Sequence, residues 1–418
     1  MKKMIRRRRF WIIFTLGLLS AIGPFSIDMY LPAFPEIAEK LHTSVSRVGF
    51  SLSSFFIGIS VGQLIYGPLL DRFGRKKPLM VGLTIYILSS VFCAFVQDVD
   101  TLIVARFVQA LGSCAGMVAA RALVRDLFPV SENAKVFSML MLVIAVSPII
   151  APTFGGYITT IFGWHVIFVV LAIIATLTIL ATVYWLPAGR RPDTAMSLRP
   201  KPILSGFREV AGVPKFYTYA LSGAFASSAL YCYLAGSPFV FMKLYKVTEQ
   251  QYGWIFAFIA LGLVSCSQLN TLLLRRFTSE QITYTALACQ VTLGIILVAG
   301  TVFHLLGLYS TIAIIWLFLG TQGFAFPNTS ALALSPFAAN AGTASALMGA
   351  VQLGIGALAT ALVGVFSSVT ALPMTGLMLA CALSSFLILN LGRKRIKEAE
   401  DDSIAGFTEI PEGHFHLH

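Results

Sequence analysis

Apolar residues gather along the chain in twelve stretches, beginning near Phe10, Val48, Leu79, Leu102, Val136, Trp164, Phe216, Tyr252, Ile282, Tyr309, Gly342 and Leu372. Each approaches the roughly 20 residues an α-helix needs to cross a hydrocarbon core. Short polar segments rich in Pro, Gly, Lys and Arg separate them. Backbone groups in lipid must be satisfied within their own segment, so the pattern predicts an all-α integral membrane protein of twelve transmembrane helices. The longest polar interval, LPAGRRPDTAMSLRPKPILSGFREVAGVPK, divides the spans six and six. Its Pro, Gly and basic residues suit a linker. LLDRFG (Leu69 to Gly74) and LLRRFT (Leu273 to Thr278) each follow the second span of their half. They suggest two six-helix pseudo-repeats, an architecture of secondary transporters with the substrate site between the halves. The expected division is an N-terminal bundle over 1–187, a linker over 188–214, a C-terminal bundle over 215–392 and a tail over 393–418.

Composition supports the bilayer. Hydrophobic residues make up 57% of the chain and charged residues 11%, against roughly 25% charged in soluble domains. The first span, behind MKKMIRRRRF, shows no small-residue cleavage site before Asp28 and reads as retained. The net charge of +12 comes from basic residues scattered among short loops, which argues for topology and against a nucleic-acid partner. Twenty-five of the 30 Lys and Arg residues fall on the side of the N-terminus; Lys40, Arg47, Lys243 and Lys246 fall on the other, and Arg106 lies within a span. That asymmetry predicts cytoplasmic N- and C-termini. The six cysteines sit inside apolar segments and read as small core residues; His165 and His304 have no companion ligands, and the terminal HFHLH reads as a solvated tail. No metal or cofactor is expected.

Three motifs carry chemistry. GPLLDRFGRKKPLM, Gly67 to Met80, follows the second span; Gly67 and Gly74 permit a tight helix exit, and Asp71 and Arg75 can link helix ends through charge. It resembles the G-x-L-x-D-R-x-G-R-K signature of the major facilitator superfamily, at Gly67, Leu69, Asp71, Arg72, Gly74, Arg75 and Lys76. The resemblance implies a cytoplasmic latch between the halves, with Asp71 near the start of the eleventh helix and Arg75 near Asp126. In the fourth span, Arg106, Gln109, Ser113 and Gly116 share one helical face. The stretch resembles the superfamily's R-x-x-Q-G-x-G pattern, with Ala110 in place of a glycine. In the fifth, SPIIAPTFGG kinks and thins the helix through Pro148, Pro152, Gly155 and Gly156. It resembles the antiporter signature G-x-x-x-G-P-x-x-G-G, with Ser147 and Ala151 at two glycine positions. Gly58 and Gly62, and Ser345 and Gly349, have spacing for close helix contact. DMYLPAF, RALVRDLF, SPFV and GTASALMGAVQ together resemble the bicyclomycin and chloramphenicol resistance (Bcr/CflA) subfamily of drug:proton antiporters, from about Phe10 to Leu391.

Of 18 acidic residues, Asp28 alone falls within a predicted span. An intramembrane carboxylate is a functional candidate because it is costly there. Asp28 and Arg106 both fall in the outer part of the membrane and could meet, and a change in their separation or wetting would alter how tightly Asp28 holds its proton. The expected function is proton-driven export of amphipathic drug-like molecules by alternating access, as a monomer in a bacterial inner membrane, with the proton gradient as energy source. The expected cavity combines Asp28, Tyr30, Arg106, Gln109, Tyr231, Phe239, Phe326, Asn328 and Gln352, since aromatic walls with few polar groups suit varied apolar ligands. A sugar or metabolite symporter is the alternative, disfavoured by the absence of charge in the middles of the last six spans. A membrane enzyme or receptor is a further one, disfavoured by the lack of convergent catalytic groups.

Overall fold

The computed structural model describes residues 2–187, 189, 192–193, 200–337, 341–366 and 370–408. The first half comprises α1 (Lys2–Asp28), a 3-10 turn (Leu31–Ala33), α2 (Phe34–Lys40), α3 (Val45–Phe73), α4 (Lys76–Cys93), α5 (Val99–Leu127), α6 (Val130–Phe162) and α7 (His165–Trp185). After the linker helix α8 (Pro200–Ala211) come α9 (Pro214–Ser237), a π-helical turn (Pro238–Leu244), α10 (Glu249–Leu273), α11 (Ser279–Val302), α12 (Leu308–Leu334), α13 (Ala341–Val365) and α14 (Leu372–Thr408). Twelve of these helices are long and apolar enough to cross a membrane.

Successive long helices alternate in direction. The N-terminus, the α3–α4 and α5–α6 turns and α8 therefore share one face, here the basic face, while α2 and the α9–α10 turn share the opposite face. The helix ends follow local chemistry. Ser44 and Asp98 cap α3 and α5 by accepting from Arg47 N and Thr101 N, and Thr248 and Thr278 form capping boxes with Gln251 and Gln281. Gly74 ends α3 with φ 79°, a conformation only glycine adopts without strain. Many long side chains face outward, among them Leu88, Tyr184, Leu358 and Leu391, as lipid-facing surfaces require.

The linker carries a helix: Pro200 and Pro202 sit in the first turn of α8, where a missing N–H costs nothing, and Val210 buries its side chain at the far end. The last helix continues to Thr408, beyond the expected boundary at 392. HFHLH lies outside the described residues.

Within the first half, α5 packs on α3 and α4, and α1 on α5, α6 and α7; within the second, α9 packs on α12, α13 and α14, and α12 on α10 and α11. The halves meet where α3 lies along α13 and α6 along α10. On the opposite face they meet again: the 3-10 turn packs on α10, and α2 on the π-helical turn. No comparable interface joins α1 to α9 or α5 to α12 among the described residues. The halves are thus closed together at the opposite face.

Candidate functional site

Asp28 is the last residue of α1. The helix stops there because Pro32 has no N–H to offer the Asp28 carbonyl, and the chain tightens into the 3-10 turn before restarting as α2. A helix-end aspartate would ordinarily be wet. This one is 5% exposed, because the chain beyond it folds over the seam between the halves.

Arg106 has no exposed surface. Its Nη1 donates to Gln109 Oε1 at 2.6 Å and its Nη2 to the Ser26 carbonyl at 2.8 Å. Gln109 Nε2 donates in turn to Ser90 Oγ at 2.7 Å, and Ser26 Oγ shares a hydrogen with the Tyr86 hydroxyl at 2.6 Å. The guanidinium carbon lies 4.2, 4.6 and 5.8 Å from the ring centres of Phe55, Tyr30 and Phe168. Three aromatic faces, one carbonyl and one amide thus offset the cost of burying the charge. Tyr30 is buried too, and its hydroxyl meets Ser51 Oγ at 2.9 Å.

The expected meeting of Asp28 with Arg106 does not occur as an ion pair. Helix geometry gives the reason. Ser26 and Asp28 are two residues apart, about 200° around α1. With Ser26 directed at α4 and α5, Asp28 faces away from them.

The SPIIAPTFGG stretch lies against this end of α1. A Cβ at Gly155 would run into the Met29 carbonyl, and one at Gly156 would lie 2.5 Å from the Glu249 carbonyl oxygen. Thr153 Cα and the Pro152 carbonyl crowd Gly253 of α10 in the same way, at 2.8 and 2.9 Å from a Cβ built there. Pro148 and Pro152 lie within the unbroken span of α6, and Ser147 and Ala151 are buried. This face of α6 is therefore backbone-thin on both sides of the seam.

At the basic face, Arg75 Nε donates to Asp126 Oδ2 at 2.7 Å and Nη1 to Asp71 Oδ1 at 2.5 Å. Burial of Arg75 disfavours its charge, yet the hydrogen bonds to Asp126 and Asp71 outweigh it and hold the guanidinium above its ordinary pKa. The start of the linker docks on this cluster. Gly189, with φ 74°, fits against Arg75, Leu123 and Asp126, and Asp193 N donates to the Asp71 carbonyl at 3.0 Å. The expected Arg75–Asp126 contact is present. Asp71 has Arg75 as its ion-pair partner, while residues 338–340, just before α13, lie outside the described ones. Gly67 has nothing close to its Cβ position, and Arg72 sits 5.9 Å from the Phe73 ring centre.

The remaining expected cavity residues scatter. Asn328 is buried and donates to Asn270 Oδ1 at 2.7 Å, clamping α12 to α10, so it does not line an open space. Phe326 and Gln352 do border one small cavity in the basic-face half, with Tyr219, Thr329 and Met348. There Gln352 Nε2 reaches Ser227 Oγ at 2.9 Å. Phe239 borders a second cavity near the opposite face, with Val45, Thr360 and Met374. Tyr231 lies between halves, 4.6 Å from Phe56 ring to ring. Sequence reasoning singled out Ser237 only as part of SPFV and missed its hydrogen bond to Tyr252, since these hydroxyls look like ordinary aromatic-helix composition until α9 and α10 are packed. Arg121 lies inside α5. Of the cysteines, Cys289 is exposed and Cys266 half-buried, a departure from the core reading. No cluster of potential metal ligands occurs among the described residues.

A sequence profile described as Major Facilitator Superfamily matches residues 16–361. The chain belongs to that superfamily. It is 35% identical over 93% of its length to an uncharacterized MFS-type transporter, YdgK, of Bacillus subtilis, covering 97% of that protein. It is 32% identical over 91% of its length to the bicyclomycin resistance protein homolog of Haemophilus influenzae, covering 96% of it. Multidrug resistance protein D of Escherichia coli is 27% identical over 89% of the chain and is covered to 92%. Among solved structures, an inward-facing, occupied bacterial homolog of the human lysosomal transporter Spinster superposes with a TM-score of 0.70 at 16% identity, over 92% of this chain and 97% of that one. That likeness concerns the fold. The chain is thus a multi-pass membrane transporter of this superfamily, and the Bcr/CflA resemblance accords with relatives named for bicyclomycin and multidrug resistance.

Proposed function

We propose that this transporter exports amphipathic drug-like molecules across a bacterial inner membrane in exchange for protons, by alternating access. The observation that carries this reading is Asp28, a buried carboxyl without an ion-pair partner among the described residues, at the seam where the two halves close. A group that must be neutral to be buried and charged to be released couples protonation to which face is open. The excess of Lys and Arg on the basic face supports a cytoplasmic location for that face and for both chain termini. Closure at the opposite face then leaves the cytoplasmic side as the one from which drug enters, at the cavity bordered by Phe326 and Gln352. The Arg75, Asp71 and Asp126 cluster, with Gly67, Arg72 and Gly74, serves as the cytoplasmic hinge and latch. The resistance names of the relatives support a drug substrate.

The test is purified protein in liposomes carrying a pH-sensitive dye, with drugs of the bicyclomycin and chloramphenicol type supplied in turn. Drug movement against its gradient, with matching proton movement in the opposite direction, is expected. Protons and solute moving in the same direction would establish a symporter instead.

A further inference from the structure

Of the two long seams between the halves, α3–α13 is the one tied by side chains. Thr360 Oγ1 of α13 donates to Ser53 Oγ of α3 at 2.7 Å, and Ser60 Oγ of α3 donates to the Ala350 carbonyl of α13 at 2.8 Å. Close to the second bond, the Gln63 amide fills the place a Cβ at Gly349 would take. The α6–α10 seam rests on backbone contact instead: Thr153 Oγ1 lies 3.4 Å from the Gly253 carbonyl and nearer, at 3.2 Å, to the Ile149 carbonyl of its own helix.

The two α3–α13 bonds differ in depth and in what parting them costs. Ser60 is at the middle of α3, and Ser53 lies two turns, about 10 Å, nearer the opposite face. Beyond Ser53 the seam is parted by the cavity that Phe239 borders, with Val45 and Gly49 of α3 and Thr360 and Val363 of α13 in its walls. The Ser53–Thr360 pair, 3% and 1% exposed, is the first hydrogen bond between α3 and α13 met from that face among the described residues. The Thr360 hydroxyl has a second acceptor, the Ala357 carbonyl of α13 at 2.8 Å, and Ser53 has the Gly49 carbonyl of α3 at 3.5 Å. When the helices part here, each hydroxyl turns back to its own helix and neither is left unsatisfied. Ser60 makes no second hydrogen bond among the described residues, so parting its bond strands the hydroxyl.

We propose that the Ser53–Thr360 hydrogen bond is the switching contact of the α3–α13 seam, made when the opposite face is shut and released when it opens, while the Ser60–Ala350 bond persists as the pivot. The inference rests on the alternating-access reading and names the side chains that bias its two states. Ser53 and Thr360 are positioning residues: they weight the closed state and need not touch the drug. Their own-helix acceptors make the contact reversible inside the membrane, where a stranded hydroxyl would oppose opening.

The experiment places spin labels at two exposed opposite-face positions, Lys40→Cys at the end of α2 and Lys243→Cys in the π-helical turn, with the native cysteines replaced. Their distance distribution is followed in liposomes with and without drug and a pH gradient; short distances mark the closed face and long ones the open face. Thr360→Val, which keeps the β-branched shape, and Ser53→Ala are each expected to lower the closed-to-open ratio by roughly threefold, the size of one interhelical hydrogen bond in a membrane. The double variant should lower it no further than either single one, and Thr360→Ser should restore the parental ratio. Ser60→Ala is expected to lower the melting midpoint in detergent and leave the ratio unchanged, its bond being present in both states. A parental ratio in both Thr360→Val and Ser53→Ala would overturn the switching role, whatever their melting. A ratio moved by Ser60→Ala as far as by Thr360→Val would overturn the division between switch and pivot. One fixed parental distance under every drug and gradient condition would overturn alternating access, and this inference with it.

Discussion

Arg106 shows what a single side chain can be used for inside a membrane bundle. It makes two hydrogen bonds and contacts three rings, all within the first half. Its effect on proton coupling is therefore through the shape of the bundle around α1. Arg106→Ala is expected to destabilise the protein by on the order of 3 kcal/mol, since it opens a cavity and strands the Ser26 carbonyl and Gln109 amide. Melting of purified protein in detergent checks this; an unchanged midpoint would contradict it. Arg106→Lys should recover only part, having lost the planar fork that satisfies two acceptors at once. The i, i+3 relation of Arg106 and Gln109 was legible in the sequence. The direction of the guanidinium was not, because it depends on which face of α1 carries Ser26. Asp28 was legible as a lone carboxyl in an apolar run, whereas its burial depends on how the two halves meet beyond the end of α1.

At the scale of elements, the thin face of α6 and the cluster at the α3–α4 turn make separate demands. Gly155→Leu must push a side chain into the Met29 backbone, and overpacking of this kind costs about 1–3 kcal/mol. Its expected result is a lower melting midpoint together with a lost short-distance population at the opposite face; normal melting and normal closure would show that the α6 contact is not required. At the α3–α4 turn, Asp126 of α5 and Asp71 of α3 share Arg75 unequally: their side chains are 12% and 42% exposed. Solvent screens the exposed pair and leaves the buried one strong. Asp126→Asn should therefore slow drug exchange more than Asp71→Asn, and neither should change drug affinity. Equal rates in the two variants, measured by solid-supported membrane currents or radiolabelled exchange, would contradict this ranking. The G-x-L-x-D-R-x-G-R-K spacing made the Arg75–Asp126 pair foreseeable. Docking of Gly189 and Asp193 on it was not foreseeable, since nothing in a Pro- and Gly-rich linker encodes where it lands. For the same reason α8 went unseen: its two prolines read as breakers and act as helix starters.

For the whole molecule, twelve apolar runs and the charge bias between loops were enough to give the architecture, because a bilayer leaves helices few alternatives. The cavity was the least legible part. Of its expected residues, Tyr30, Arg106, Gln109 and Asn328 are buried in polar contacts within one half, and Phe326 and Gln352 border a different space from Phe239. Sequence places such residues at a depth along a helix and leaves their azimuth to packing. The driving force suffices for the proposed exchange: a proton crossing 100 mV yields about 2.3 kcal/mol and one pH unit about 1.4 kcal/mol. The account turns on whether the Asp28 carboxyl is where that energy enters. The direct measurement is uptake of a neutral drug into everted membrane vesicles, with and without an imposed pH gradient, beside gradient-free exchange of labelled for unlabelled drug. Asp28→Asn, nearly the same shape and unable to titrate, is expected to keep the exchange and to lose all gradient-driven accumulation. Accumulation by Asp28→Asn that still follows the pH gradient would contradict the account and leave Asp28 a structural residue at the end of α1.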